Sequence, residues 1–135
     1  MRVRVLAFLT VASLGLVPVA DAGQKWVYPV WVAKNADGSG SMVGTLGSTR
    51  NSADTVTRLG CFYESFTTAY GGYKYASCYG FDGTNQLSCG TTDTALTDTI
   101  ARLQGDAFLW VQADAAGNCV RVQIGAQSYA APKAP

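Results

Sequence analysis

The sequence predicts an α+β, mainly β domain: an antiparallel sheet, folded as a sandwich or partial barrel, with one short helix near 93–104. Three observations predict it. Short runs of β-forming residues are separated by Gly, Asp and Asn turns. Two cysteines, Cys78 and Cys89, fall opposite each other when one such pair of runs is folded as a hairpin. A single stretch, TTDTALTDTIARLQG, departs from strand spacing and places Leu96, Ile100 and Leu103 on one helical face.

Arg2 and Arg4 followed by the apolar run Val5 to Val17 and the small-x-small site Ala20-Asp21-Ala22 have the layout of a secretory signal peptide. Cleavage is expected after Ala22, leaving a single disulfide-stapled domain over 23–135 in a secreted or periplasmic location. The apolar run is short for a bilayer span. Without residues 1–22 the chain carries eight basic and eight acidic residues. A neutral domain has neither the basic stripe that nucleic acid requires nor the polybasic patch that holds a protein on an anionic membrane. No nucleic-acid or membrane partner is therefore expected.

Along the domain, residues 26–33 (WVYPVWVA) read as a strand that Pro29 confines to a sheet edge or interrupts. KNADGSG (34–40) is a loop, Ser41 to Leu46 a weaker strand, and Gly47 to Ala53 a second loop. Asp54 to Phe66 reads as a long strand. Its alternation puts Thr57, Leu59, Cys61 and Tyr63 on one face and Val56, Arg58, Gly60 and Phe62 on the other. Thr67 to Gly72 is a flexible connection. In YKYASCYGFDGTNQLSCGT (73–91), a two-residue turn at Gly83-Thr84 pairs Phe81 with Gln86, Tyr79 with Ser88 and Cys78 with Cys89. The predicted helix follows, with Thr92 or Asp93 as cap, Arg102 near its negative end and Gly105 as its stop. The last hairpin joins Ala107–Ala113 to Cys119–Ser128 through DAAGN. Pairing Ala113 with Cys119 and Trp110 with Val122 gives Phe108, Trp110, Val120, Val122 and Ile124 a common, core-facing side. That pairing leaves Cys119 on the opposite face, so either the loop shifts the register by one or this strand is covered on both sides. APKAP is an extended tail.

Four cysteines, at 61, 78, 89 and 119, favour two disulfides in an exported chain. Directly opposed residues bring their Cβ atoms within disulfide reach in the non-hydrogen-bonded kind of pair. The hairpin register thus selects Cys78–Cys89 out of three possible connectivities and leaves Cys61–Cys119. Zinc fits poorly, because there is no C-x₂₋₄-C pair and no histidine. No metal and no cofactor are expected.

The stretch GTLGSTRNSADTVTRLGC (44–61), Gly117-Asn118-Cys119 and the terminal SYAAPK (128–133) together resemble a group of small exported bacterial proteins of no assigned activity. They share a G-S-x-R-N-S-A-D block, four cysteines and a Y-x-A-P-K tail. The resemblance implies a bacterial exported origin and brings no catalytic or binding residue with it.

Absence of histidine removes the usual general base, and four paired cysteines leave no thiol nucleophile. There is no phosphate-binding loop, dinucleotide fingerprint or EF-hand. Of the eight carboxylates, only Glu64 sits inside a predicted strand, as a solvent-facing residue. No catalytic residue is assigned and the chain is expected not to be an enzyme. The aromatic residues carry more information. Tyr73, Tyr75, Tyr79 and Phe81 share one face of the hairpin, opposite Ala76, Cys78, Leu87 and Cys89. That face suits a glycan or an extracellular protein, since Tyr offers a large contact area at low entropy cost. If Tyr75 and Tyr79 are both buried, the face is simply core. The expected function is a secreted, non-catalytic binding module. The alternative is a structural or effector protein, such as a coat or matrix component, an inhibitor or a toxin.

Overall fold

The computed structural model, which describes residues 27–127, folds seven strands into two antiparallel sheets. The expected signal peptide, Trp26 and the 128–135 tail lie outside the described residues. Strand β1 (Trp31–Lys34), β2 (Gly40–Thr45), β6 (Phe108–Ala113) and β7 (Cys119–Gly125) form a four-stranded sheet in the order β1-β2-β6-β7. Strands β3 (Arg58–Ser65), β4 (Lys74–Phe81) and β5 (Gln86–Thr91) form the second sheet in that order. The α+β, mainly β expectation holds, and the architecture is a sandwich.

The inner faces meet in one core. The four-stranded sheet contributes Val32, Met42, Leu109 and Val111, and the three-stranded sheet contributes Leu59, Ala76, Cys78 and Leu87, all buried. The sheets come very close at Gly80, where a Cβ would stand 3.0 Å from Met42. Helix α2 (Thr94–Ile100) packs on β7, β4 and β3. Asp93 caps it by accepting the Leu96 N–H at 3.0 Å. The helix stops at Ile100 rather than near 104. Arg102 and Leu103 donate to carbonyls only three residues back, so the chain tightens into a turn before Gly105 is reached.

Three further expectations are corrected. Residues expected as a loop form helix α1 (Leu46–Asn51). Gly, Ser, Thr and Asn give LGSTRN little intrinsic helicity. Tertiary contacts hold it instead: Leu46 N–H donates to the Ala107 carbonyl, the Thr45 hydroxyl donates to Ser48, and Leu46, Gly47 and Ser48 are buried. Strand β3 begins at Arg58 rather than at Asp54, because the Asp54 carboxylate accepts the Val56 and Thr57 N–H groups and turns the chain there. In the last hairpin a bulge between Gln112 and Ala113 shifts the register, so Trp110 opposes Gln123 and Val111 opposes Val122. Leu109, Val111 and Ala113 are the buried side of β6, with Val122 and Ile124 packed against the core. Phe108 and Trp110 lie on the other face, and Val120, skipped by the bulge, is 57% exposed. The bulge also resolves the position of Cys119, which is buried on the core side.

The disulfide pairing is corrected as well. The hairpin register is as expected, with Cys78 opposite Cys89. The bonds nevertheless join Cys61 to Cys78, with Cα atoms 4.0 Å apart, and Cys89 to Cys119, at 5.0 Å. The phase of the ladder accounts for it. Asp82 N–H donates to the Asn85 carbonyl, closing the turn with a hydrogen-bonded pair. Every second pair from there is of the same wide kind, which includes Cys78 and Cys89. On the other side of β4, Phe66 N–H donates to the Tyr73 carbonyl, and counting along that register makes Cys61 and Cys78 a narrow pair. Cys78 has a cysteine on each side, and the closer one takes the bond. Cys89 is then joined to Cys119 near the parallel bridge between Gly90 and Asn118, a bond that links the two sheets.

Candidate functional site

Strand β4 is the middle of the three-stranded sheet, so its outward side chains have neighbours on both flanks. The structure puts Tyr75, Tyr79 and Phe81 on the outer face, as the strand period requires, with Tyr73 just before the strand on the same side. Tyr79 is 48% and Tyr73 46% exposed, while Tyr75 and Phe81 are half-buried. Neither of the two deciding tyrosines is core.

Strand β3 adds Arg58, Gly60, Phe62 and Glu64 to this face, opposite Phe81, Tyr79, Ser77 and Tyr75 respectively. Strand β5 adds Gln86, Ser88 and Gly90. Phe62 is 45% exposed and meets Tyr75 edge-on at 6.0 Å, and Phe66 stacks on Tyr73 at 4.6 Å. Two glycines decide how the tyrosines lie. The outer ring atoms of Tyr79 are 3.7 Å from where a Gly60 Cβ would be, and the Tyr75 hydroxyl is 2.6 Å from the corresponding point at Gly90. One ring leans across β3 and the other across β5, each in the space a side chain would have taken. The result is a low aromatic surface rimmed by Arg58, Glu64, Gln86 and Ser88.

Beside it, a cleft of about 640 Å³ follows β3 between that strand, α1 and the turn after α2. Leu46, Leu59, Ile100 and Leu103 give it an apolar floor, and Phe62 and Tyr79 border it on the aromatic side. Arg50 and Arg58 line it and no carboxylate does. Arg50 is oriented by donating to the Gly105 carbonyl at 2.8 Å.

Several carboxylates are engaged in local structure. The Ser39 hydroxyl and N–H hold Asp37 below the ordinary carboxylate range, and Thr57 and Val56 do so for Asp54. Asn118 does the same for Asp114. The Asn85 and Thr84 N–H groups lower Asp82, whose second oxygen accepts Val32 N–H at 3.1 Å and so hooks the hairpin turn to the edge of β1. Asp98 pairs with Lys74 and raises the lysine. Glu64 is exposed beside Tyr75. Among the described residues no group of three or more His, Cys, Asp or Glu side chains could hold a metal ion.

The alternation along β3 already put Arg58 and Phe62 on the side away from Cys61. Only the β3–β4 pairing was needed to bring them to the tyrosines. A second aromatic surface had no such signal. On the outer face of the four-stranded sheet, Trp31, Val43, Trp110 and Gln123 form a cross-strand row. Arg121 covers Trp110 at 4.3 Å, and Tyr28 meets Phe108 edge-on at 5.9 Å. Comparison with protein families, curated proteins and solved structures finds no match to this chain.

Proposed function

We propose that the protein is a non-catalytic binding module that receives a glycan on the outer face of its three-stranded sheet. The observation that carries this reading is the contiguous surface of Phe62, Tyr73, Tyr75 and Tyr79 on a disulfide-stapled sheet. An exposed apolar patch rimmed by polar groups indicates a partner. Low-lying rings offer their faces to the C–H side of a sugar, and Arg58, Glu64, Gln86 and Ser88 are placed to meet its hydroxyls. Both disulfides fit an oxidising compartment, and all four cysteines are paired. No described helix is long and apolar enough to cross a membrane. Secretion or a periplasmic location in a bacterium accords with these features and with the leader expected over 1–22.

The test is affinity electrophoresis of the disulfide-bonded protein through gels containing a panel of soluble polysaccharides. Retardation by at least one polysaccharide, lost in Tyr79→Ala with unchanged thermal midpoint, supports the proposal. Uniform mobility in every gel, or retardation that Tyr79→Ala and Phe62→Ala leave intact, contradicts it. A structural or effector role is favoured by a different observation, the exposed Trp31 and Val120 on the four-stranded sheet, both at 57%. Self-association with no polysaccharide shift would select that role.

A further inference from the structure

We infer that the open edge of β3 is a docking site for an extended, acidic segment of another protein chain, which adds to the sheet as a strand. This does not depend on the glycan reading. Strand β3 has β4 on one side and no strand on the other among the described residues. The bond from Phe66 N–H to the Tyr73 carbonyl fixes the phase, so Phe62 and Glu64 hydrogen-bond toward β4. Leu59, Cys61 and Tyr63 therefore direct their N–H and C=O groups outward, along the cleft. Unpaired edges of this kind are templates for strand addition, and folded proteins commonly block them with proline, bulges or covering loops. None of these interrupts β3, and the cleft leaves room beside it.

The cleft also specifies the partner. Alternate side chains of an added strand would point to the apolar floor of Leu46, Ile100 and Leu103 and to the rings of Phe62 and Tyr79. Arg50 and Arg58 supply two positive charges to a cleft with no carboxylate in its wall, although the expected mature chain is neutral. Charge complementarity therefore selects a segment carrying Glu or Asp among its apolar residues. Cys61–Cys78 staples the receiving strand to its neighbour, so little ordering of β3 remains to oppose binding.

The experiment uses the intact, disulfide-bonded protein, isotopically labelled, and three end-blocked heptapeptides. One alternates Glu and Val, one alternates Lys and Val, and one is the Glu-Val peptide N-methylated at every residue. Saturation with the Glu-Val peptide should slow hydrogen exchange at the Leu59, Cys61 and Tyr63 amides, and the other two peptides should fail to bind. Arg58→Glu, an exposed change, should weaken the Glu-Val peptide about fivefold, the scale of partly screened ion pairs. Undiminished binding of the N-methylated peptide, or no protection at the three amides, would overturn the proposal. So would an acidic oligosaccharide that fills the cleft while those amides exchange freely. Amide protection without peptide that disappears on dilution would instead assign the edge to a second copy of this chain, and would equally overturn it.

Discussion

On one side of the sandwich Tyr79 lies over Gly60 and Tyr75 over Gly90, whereas on the other Trp110 lies beneath Arg121 and Phe108 against Tyr28. Both outer faces are aromatic, but their rings are held by different means. On the three-stranded sheet the rings occupy space left by glycines on β3 and β5, and the Cys61–Cys78 bond fastens β3 to β4 from beneath. On the four-stranded sheet the rings are partly covered by long side chains, and no disulfide lies within that sheet. Its one covalent tie is Cys119, at the start of β7. The first arrangement leaves Tyr73 and Tyr79 about half exposed, and the second covers Trp110 and Phe108 while leaving Trp31 57% exposed. Ring count alone therefore does not distinguish the two faces; what lies over and under each ring does.

The strongest way to break this contrast is to cut the staples separately. Replacing Cys89 and Cys119 by Ala should cost about 4 kcal/mol, and replacing Cys61 and Cys78 about 3 kcal/mol, from the loop-closure entropy of separations of 30 and 17 residues. Urea denaturation measures both. The second pair of changes should in addition speed amide exchange on β3 and β4 while leaving the tryptophan emission of the folded protein unchanged. Next in size, Tyr79→Ala or Phe62→Ala should weaken a retarding polysaccharide about tenfold, equivalent to ~1.4 kcal/mol, while Trp31→Ala stays within about twofold.

Smaller effects separate the two glycines. An added methyl at Gly90 meets the Tyr75 hydroxyl at 2.6 Å, so Gly90→Ala must lift the ring and should cost about 1 kcal/mol. At Gly60 the nearest contact is 3.7 Å, an ordinary packing distance, and Gly60→Ala should leave the thermal midpoint unchanged or raise it. The smallest effect is on acid sensitivity. Asp37, Asp54, Asp82 and Asp114 all titrate below the ordinary carboxylate value in the folded protein. Their stabilisation is fully present above the unfolded value of about 3.9 and is lost as pH falls through the lowered folded values. The urea midpoint should be insensitive to these groups from pH 7 to about pH 5 and fall below about pH 4. Asp82→Asn should flatten part of that fall and loosen the contact with Val32 N–H.

How much of this could be read beforehand depended on whether near neighbours or distant ones decide. The Cys78/Cys89 register followed from a two-residue turn, and the Asp93 cap from local chemistry. Alternation along β4 placed Tyr75, Tyr79 and Phe81 on one side, and Tyr73 just before the strand falls on it too. The disulfide partners were missed because opposition across a hairpin is only half the requirement; the pair must also be of the narrow kind, and β3 offered Cys78 a narrower one. Trp110 was placed in the core because nothing in DAAGN announces a bulge two residues later, and a one-residue slip inverts a strand's faces. Helix α1 was illegible for the opposite reason: its own residues favour a loop, and packing beneath the chain overrules them. The cleft needed α1, β3 and the end of α2 together, three elements remote in sequence.

The most direct test of the proposed face is a titration of the labelled, disulfide-bonded protein with a retarding polysaccharide, followed through its aromatic ring resonances. Shifts at Tyr75 and Tyr79 with the indoles of Trp31 and Trp110 unmoved are the predicted result. Shifts at the indoles with those tyrosines unmoved would contradict it.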